Sequence, residues 1–273
     1  MRKFNEEEQK EIISLYQKDN MTIDFIRKKF HCRDEAIRSV LLSNGVEIVR
    51  RRTVNSKMDE NYFSKIDSEE KAYILGLLFT DGNVSPDKNR QPNIRIGLKL
   101  SDVNILLRIK EELKLGSSLI YDKRANKESV VLAFRSQRIA DDLKKFGIVP
   151  NKTYLTSNLP NIENSLLPHF IRGLIDGDGS IFWEKQGKKW VVDFSSYHQS
   201  ICEELQKIIN TWINKENYTK IANYGTAFHV RWRSTKESKK IMEILYRNNN
   251  ISIARKNRLA NAILEDKSGE DIV

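Results

Sequence analysis

Two short apolar segments, each closing on Asp-Gly, constrain this chain more than any other feature. Phe170-Ile171-Arg172-Gly173-Leu174-Ile175-Asp176-Gly177-Asp178-Gly179 is the stronger copy. Tyr73-Ile74-Leu75-Gly76-Leu77-Leu78-Phe79-Thr80-Asp81-Gly82 echoes it 97 residues earlier. Each is too short to cross a bilayer. Each is also apolar on nearly every side, which on a water-soluble chain demands burial all round. Small residues recur four apart, Gly173 with Gly177 and Gly76 with Thr80. That spacing puts them on one helical face, where two backbones approach closely. Parallel packing of the two helices would bring Asp81 and Asp178 to the same end. A helix C-terminus is already negative, and neighbouring carboxylates repel. A hard divalent cation held by a few protein oxygens, water and phosphate neutralises such a pair, which describes magnesium.

The segments Ile74–Gly82 and Ile171–Gly179 resemble the LAGLIDADG motif of homing endonucleases. In that family the eighth position is the metal-binding catalytic acid, which falls on Asp81 and Asp178. The sixth position is Asp176 in one copy and Phe79 in the other. That departure is expected to matter little, because the sixth position is not the metal ligand. The resemblance covers about residues 61–265. It implies an α+β fold of tandem αββαββα repeats, joined as a pseudo-twofold saddle in one monomeric chain.

The intervening sequence supports a duplication. After Asp81-Gly82 the pattern switches to period two: Ile94, Ile96, Leu98 and Leu100 alternate with Asn93, Arg95, Gly97 and Lys99. One face is apolar and the other basic, as on a sheet that covers a core. An amphipathic helix follows with Ile105, Leu106, Ile109 and Leu113, then strands at 118–121 and 129–135 and a helix at 138–146. Asp67 and Glu70 suggest a capping box before the first apolar helix. The second repeat replays the order with a strand at 190–196, a helix at 200–212 and a strand at 228–233. In the last strand Phe228, Val230 and Trp232 point inward, and His229, Arg231 and Arg233 outward. Gly147–Lys152 parallels Ile251–Lys256, each just after the last helix of its repeat. Family members resemble this in placing a basic residue there, near the scissile phosphates, which singles out Lys152 and Lys256.

Residues 1–49 read as three short helices, with Asn5 and Glu8 opening the first, Thr22 the second, and Asn44-Gly45 ending the third. Two helices joined by a tight turn, the second bearing Arg33 and Arg38, resemble a helix-turn-helix. A small bundle that contacts another protein reads the same way. Residues 50–60 form a basic linker in which Arg50, Arg51 and Arg52 are suited to track phosphates. The two repeats then occupy 61–157 and 158–273.

The net charge of +10, from 47 basic and 37 acidic residues, favours a polyanionic partner such as nucleic acid. Two cysteines and four scattered histidines exclude a zinc finger and a disulfide scaffold, and fit a reducing compartment such as the cytoplasm. No apolar run is long enough for a membrane helix.

The resemblance implies a metal-dependent endonuclease that hydrolyses one phosphodiester in each strand of a long specific DNA site and leaves short 3′ overhangs. Asp81 and Asp178 would hold Mg2+, with Mn2+ able to substitute, while Lys152 and Lys256 stabilise charge on the phosphate. Arg95, Lys99, Arg135, His229, Arg231 and Arg233 would face the duplex. Two alternatives share the fold: an RNA maturase that assists splicing, and a transcription regulator that binds DNA without cutting it.

Overall fold

The computed structural model describes residues 4–17, 21–48, 58–117, 119–122 and 129–272. The expected linker cations Arg50, Arg51 and Arg52 lie outside them. The chain divides into two compact units, Met1–Asp59 with Arg95–Phe134, and Glu60–Ile94 with Arg135–Val273.

The first unit opens with three helices, α1 (Glu6–Gln17), α2 (Ile23–Lys29) and α3 (Asp34–Ser43). The Asn5–Glu8 capping box forms reciprocally: Asn5 Oδ1 accepts from the Glu8 amide at 2.8 Å, and Glu8 Oε2 accepts from the Asn5 amide at 3.1 Å. Thr22 caps α2 through the Phe25 amide. Gly45, at φ +71°, takes the left-handed turn that ends α3. Ile12, Phe25, Ile26, Ile37 and Leu41 form the core of this bundle. The unit also holds nearly all of β2 (Asn93–Lys99), α5 (Val103–Glu112), β3 (Ile120–Asp122) and β4 (Ser129–Arg135). The three strands lie in the order β2-β4-β3. The alternation in β2 holds, with Ile96 and Leu98 buried and Lys99 exposed. The strand expected at 118–121 begins later, at Ile120.

The second unit contains α4 (Glu69–Asp81), β1 (Gly82–Ser85), α6 (Gln137–Lys145) and α7 (Lys152–Leu155). The whole second repeat follows: α8 (Leu167–Asp178), β5 (Gly179–Glu184), β6 (Lys189–Ser196), α9 (Gln199–Trp212), β7 (Ala222–Tyr224), β8 (Ala227–Trp232), α10 (Thr235–Tyr246) and α11 (Ala254–Leu264). Its sheet runs β5-β6-β8-β7, so β6-β8-β7 repeats the order β2-β4-β3. Each repeat therefore reads helix, strand, strand, helix, strand, strand, helix, with one helix more than the seven elements expected. The added helices, α7 and α11, carry Lys152 and Lys256, so neither lysine sits in a tail after the last helix. The cap of α4 is another correction: Ser68, rather than Asp67, accepts from the Lys71 amide at 3.2 Å. Asp67 instead pairs with the Lys71 ammonium at 2.8 Å.

The sheet of the second repeat is better covered than simple alternation implies. Five consecutive residues of β6, Trp190 to Phe194, are buried. On one face Val192 and Phe194 pair with Trp232 and Val230 of β8. The Trp232 indole N–H donates to Asn210 of α9 at 2.9 Å, so this large buried ring leaves no polar atom unsatisfied. Phe228, expected inside, is only half-buried.

Candidate active site

Helices α4 and α8 meet backbone to backbone. A Cβ added at Gly76 would lie 2.1 Å from the Phe170 carbonyl oxygen, and one at Gly173 would lie 2.3 Å from that of Tyr73. No side chain fits in that space. The helices run in the same direction, because Gly173 faces Tyr73 and Leu77 while Gly177, one turn on, faces Thr80 and Asp81. Residues 72–79 and 170–176 are buried, as the all-round apolar pattern requires. The carboxylates of Asp81 and Asp178 consequently emerge at one shared end. Asp81 is half-buried and Asp178 reaches solvent.

The electrostatics of this end follow from the geometry. Burial, and then the charge of Asp178, push the Asp81 carboxyl up to about 6, against the pull of Lys256, Thr80 and Lys152. Burial likewise raises Asp178, with Lys152 and then Lys256 drawing it back.

Each lysine hangs on the carbonyl end of its own repeat's helix, but the two are held differently. The Lys152 ammonium donates to the Thr80 carbonyl at 2.7 Å and borders an open cleft with Thr80, Asp178 and Phe194. Lys256 is only 3% exposed. Its ammonium donates to the carbonyls of Ile175, Asp176 (2.6 Å) and Gly179 (2.8 Å), which uses all three of its N–H groups. Burial lowers both lysines, Lys256 to about 8. Lys256 is thus a cap on the α8 C-terminus, and it cannot reach a phosphate without giving up those bonds. Lys152 therefore borders the cleft, whereas Lys256 is enclosed behind the acid.

The sixth motif position has a role that the sequence reading passed over. Asp176 is fully buried and accepts from the Tyr246 hydroxyl at 2.6 Å, the Tyr73 hydroxyl at 2.7 Å and the Ile253 amide at 2.7 Å. Tyr73 belongs to α4, Tyr246 ends α10, and Ile253 is the residue at which α11 starts. One carboxyl group therefore ties α4, α8, α10 and the helix bearing Lys256. Arg172 beside it donates to the carbonyls of Leu245 (2.9 Å) and Ile251 (3.0 Å). In the first repeat Phe79 takes the equivalent place and packs edge-on against Phe170, 6.0 Å between centroids.

Several of the other cations singled out by sequence have acidic partners. Arg135 pairs with Asp87 at 2.9 Å and with the Gln91 carbonyl. His229 and Arg231 both face Asp193 of β6, at 3.1 and 3.2 Å, and Arg233 is bound to Glu184. Arg95 is half-buried, whereas Lys99, Arg33 and Arg38 are exposed. Arg33 caps α3 and Arg38 lies within it.

The acid pair matches the chemistry of a hard cation. Among the described residues no group of three or more His, Cys, Asp or Glu side chains could hold a metal ion. Two carboxylates at a solvent-open end suit an ion that keeps several waters, as magnesium does, and not one that needs a full protein cage. Among the described residues no helix is long and apolar enough to cross a membrane, and Cys32 and Cys202 are free thiols.

Residues 166–246 match the family model of the LAGLIDADG-like domain. No curated protein matches the chain. Among solved structures, the chain is similar to the meganuclease I-SmaMI bound to uncleaveable DNA, at 11% identity over 75% of this chain and 96% of that one, with a TM-score of 0.49. The homing endonuclease I-LtrWI bound to target DNA aligns at 13% identity over 76% of this chain and 90% of that one, with a TM-score of 0.47. The N-terminal LAGLIDADG domain of DUF199/WhiA aligns at 14% identity over 78% of this chain and all of that domain, also with a TM-score of 0.47.

Proposed function

We propose that this chain, whose second repeat carries a LAGLIDADG-like domain, is a site-specific endonuclease that cuts both strands of duplex DNA. The observation that carries this reading is the acid pair. Two helices with no side chain between them deliver Asp81 and Asp178 to one solvent-open end, where burial and then the second acid raise the pKa of the first. A protein that only bound DNA would gain nothing from two carboxylates held against each other beside the polyanion.

Asp81 and Asp178 would hold Mg2+, or Mn2+ in its place. When bound, such an ion activates water for in-line attack on phosphorus and stabilises the leaving 3′-oxygen. The chain's own residues do the rest. Lys152, open to the cleft, donates toward a phosphate oxygen and offsets the charge that develops there. Lys256 holds the last turn of α8 in place and so fixes the position of Asp178. Arg33, Arg38, Arg95 and Lys99 supply charge for phosphates and base edges. Arg135, His229, Arg231 and Arg233 would have to exchange their acidic partners for DNA. The net charge of +10 favours that encounter. One chain holds both acids, so a monomer suffices, and two cuts would leave short 3′ overhangs.

The test is a selection from a randomised duplex library, in calcium and then in magnesium. Retained duplexes that are cut only in magnesium, and left intact by Asp178→Asn, establish the nuclease and its target together. Retention without cutting would replace it with a non-cleaving regulator. Capture of structured RNA, with no retention of duplex, would replace it with a maturase.

A further inference from the structure

Large apolar side chains that stay in water need a reason, and two of them, Tyr154 and Tyr197, meet beside the Asp178 cleft. Tyr154 is 65% exposed and Tyr197 44%. Tyr154 stands on α7, the four-residue helix that begins with Lys152. Tyr197 follows the end of β6, and with Lys152 and Asp178 it lines the cleft itself. The two tyrosine rings meet edge to face at 5.1 Å. His198 supports Tyr197 from a second direction, ring to ring at 5.2 Å. The pair is thus braced within the fold while its outer surfaces remain open.

The neighbours of this patch say what would cover it. A patch that awaited another protein's apolar surface would not be built onto a lysine ammonium and a carboxylate at the same cleft. An aromatic surface beside a cation that meets phosphate matches a nucleotide, which has a π-face or sugar edge next to a charged backbone. Apolar side chains set between base steps unstack them and bend the duplex. Bending is what would let a stiff duplex bring a phosphate of each strand to two acids at one end of a helix pair.

We propose that Tyr154 and Tyr197 form a contact site for an unstacked base step of DNA beside the phosphate held at Lys152 and Asp178. This rests on the nuclease reading and adds a device for deforming the substrate. The contact is a binding element and takes no part in bond cleavage. An aromatic contact of this kind changes affinity by about tenfold or more per base, and a step that is already unpaired costs less to open.

The experiment compares two 30-base-pair duplexes of one sequence recovered by the selection above, one fully paired and one with two mismatched pairs at its centre. Affinities are read by fluorescence anisotropy in calcium, for the full chain and for the Tyr154→Ala/Tyr197→Ala double variant. Both residues are exposed, so the variant folds, and its melting curve checks this. The wild type should prefer the mismatched duplex by about tenfold. The variant should lose that preference and bind both duplexes as the wild type binds the paired one. Equal binding of the two duplexes by the wild type, or a preference that survives in the variant, would overturn the aromatic contact and leave the nuclease reading intact. Retention of neither duplex would overturn both.

Discussion

The ends of α4 and α8 share an origin in sequence but are held in place by different means. Each ends in Asp-Gly, each has a lysine on its last carbonyls, and each is followed by a strand. Behind Asp178 stand a buried acid, two tyrosine hydroxyls, a backbone amide and a lysine with every N–H in use. Behind Asp81 stand Phe79, a four-residue helix and one lysine hydrogen bond. What both ends need, a close helix contact and an acid at the tip, is the same in both. The support differs, so a duplicated site can keep its chemistry while one half is anchored by polar groups and the other by apolar packing.

The largest effect should come from breaking what the halves share. Gly173→Ala would set a methyl 2.3 Å from the Tyr73 carbonyl oxygen, so the helices must separate. The expected loss is more than about 4 kcal/mol, read by chemical denaturation. Asp176→Ala should come next, at about 3 kcal/mol, because it strands two buried hydroxyls and one amide. Phe79→Leu, at the matching position, should cost about 1 kcal/mol. Equal losses at these two positions would erase the difference in support.

The two lysines sharpen the comparison further. Lys256→Met removes three buried hydrogen bonds, to the carbonyls of Ile175, Asp176 and Gly179, and should lower stability by about 2 kcal/mol. Lys152→Met should stay within about 0.5 kcal/mol and reduce DNA cutting instead. Similar melting curves for the two variants would show that Lys256 is not a cap.

The smallest effect concerns Asp81 alone. Its folded pKa, near 6, is above the ordinary carboxylate value of 3.8, so the folded chain holds this proton more tightly than the unfolded one. The stability this provides is full below the unfolded pKa and is lost as pH rises through about 6. Asp81→Asn should therefore stabilise the chain at neutral pH by about 1 kcal/mol, and the gain should vanish in acid near the unfolded pKa. A gain that is the same in acid would place its cause elsewhere.

Much of this was legible because it is local or periodic. The twinned apolar segments, their glycine spacing, the alternation in β2 and the Asn5–Glu8 box are all short-range patterns. The apolar patterns survive in the fold because burial acts on the residues that show them, and the box because its two bonds span only three residues. What was missed at Asp193 and Asp176 has a common cause in distance along the chain. Asp193 meets His229 and Arg231 through a strand register that no local pattern reveals. Asp176 looked dispensable because its partners lie on α4, α10 and the start of α11. The helix α7 was not foreseen; it starts from Asn151, which adopts a left-handed conformation, φ +58°. Ser68 took the cap from Asp67 because a capping residue is chosen by backbone geometry, and the two candidates were adjacent.

The central claim is that Asp81 and Asp178 act together as one cation site, and calorimetric titration of calcium tests it most directly. The wild type should bind calcium at about pH 8 and bind it weakly at about pH 5, where Asp81 carries its proton. Asp178→Asn should bind weakly at both. Undiminished calcium binding by Asp178→Asn at the higher pH would contradict the account, because the two acids would then not share an ion.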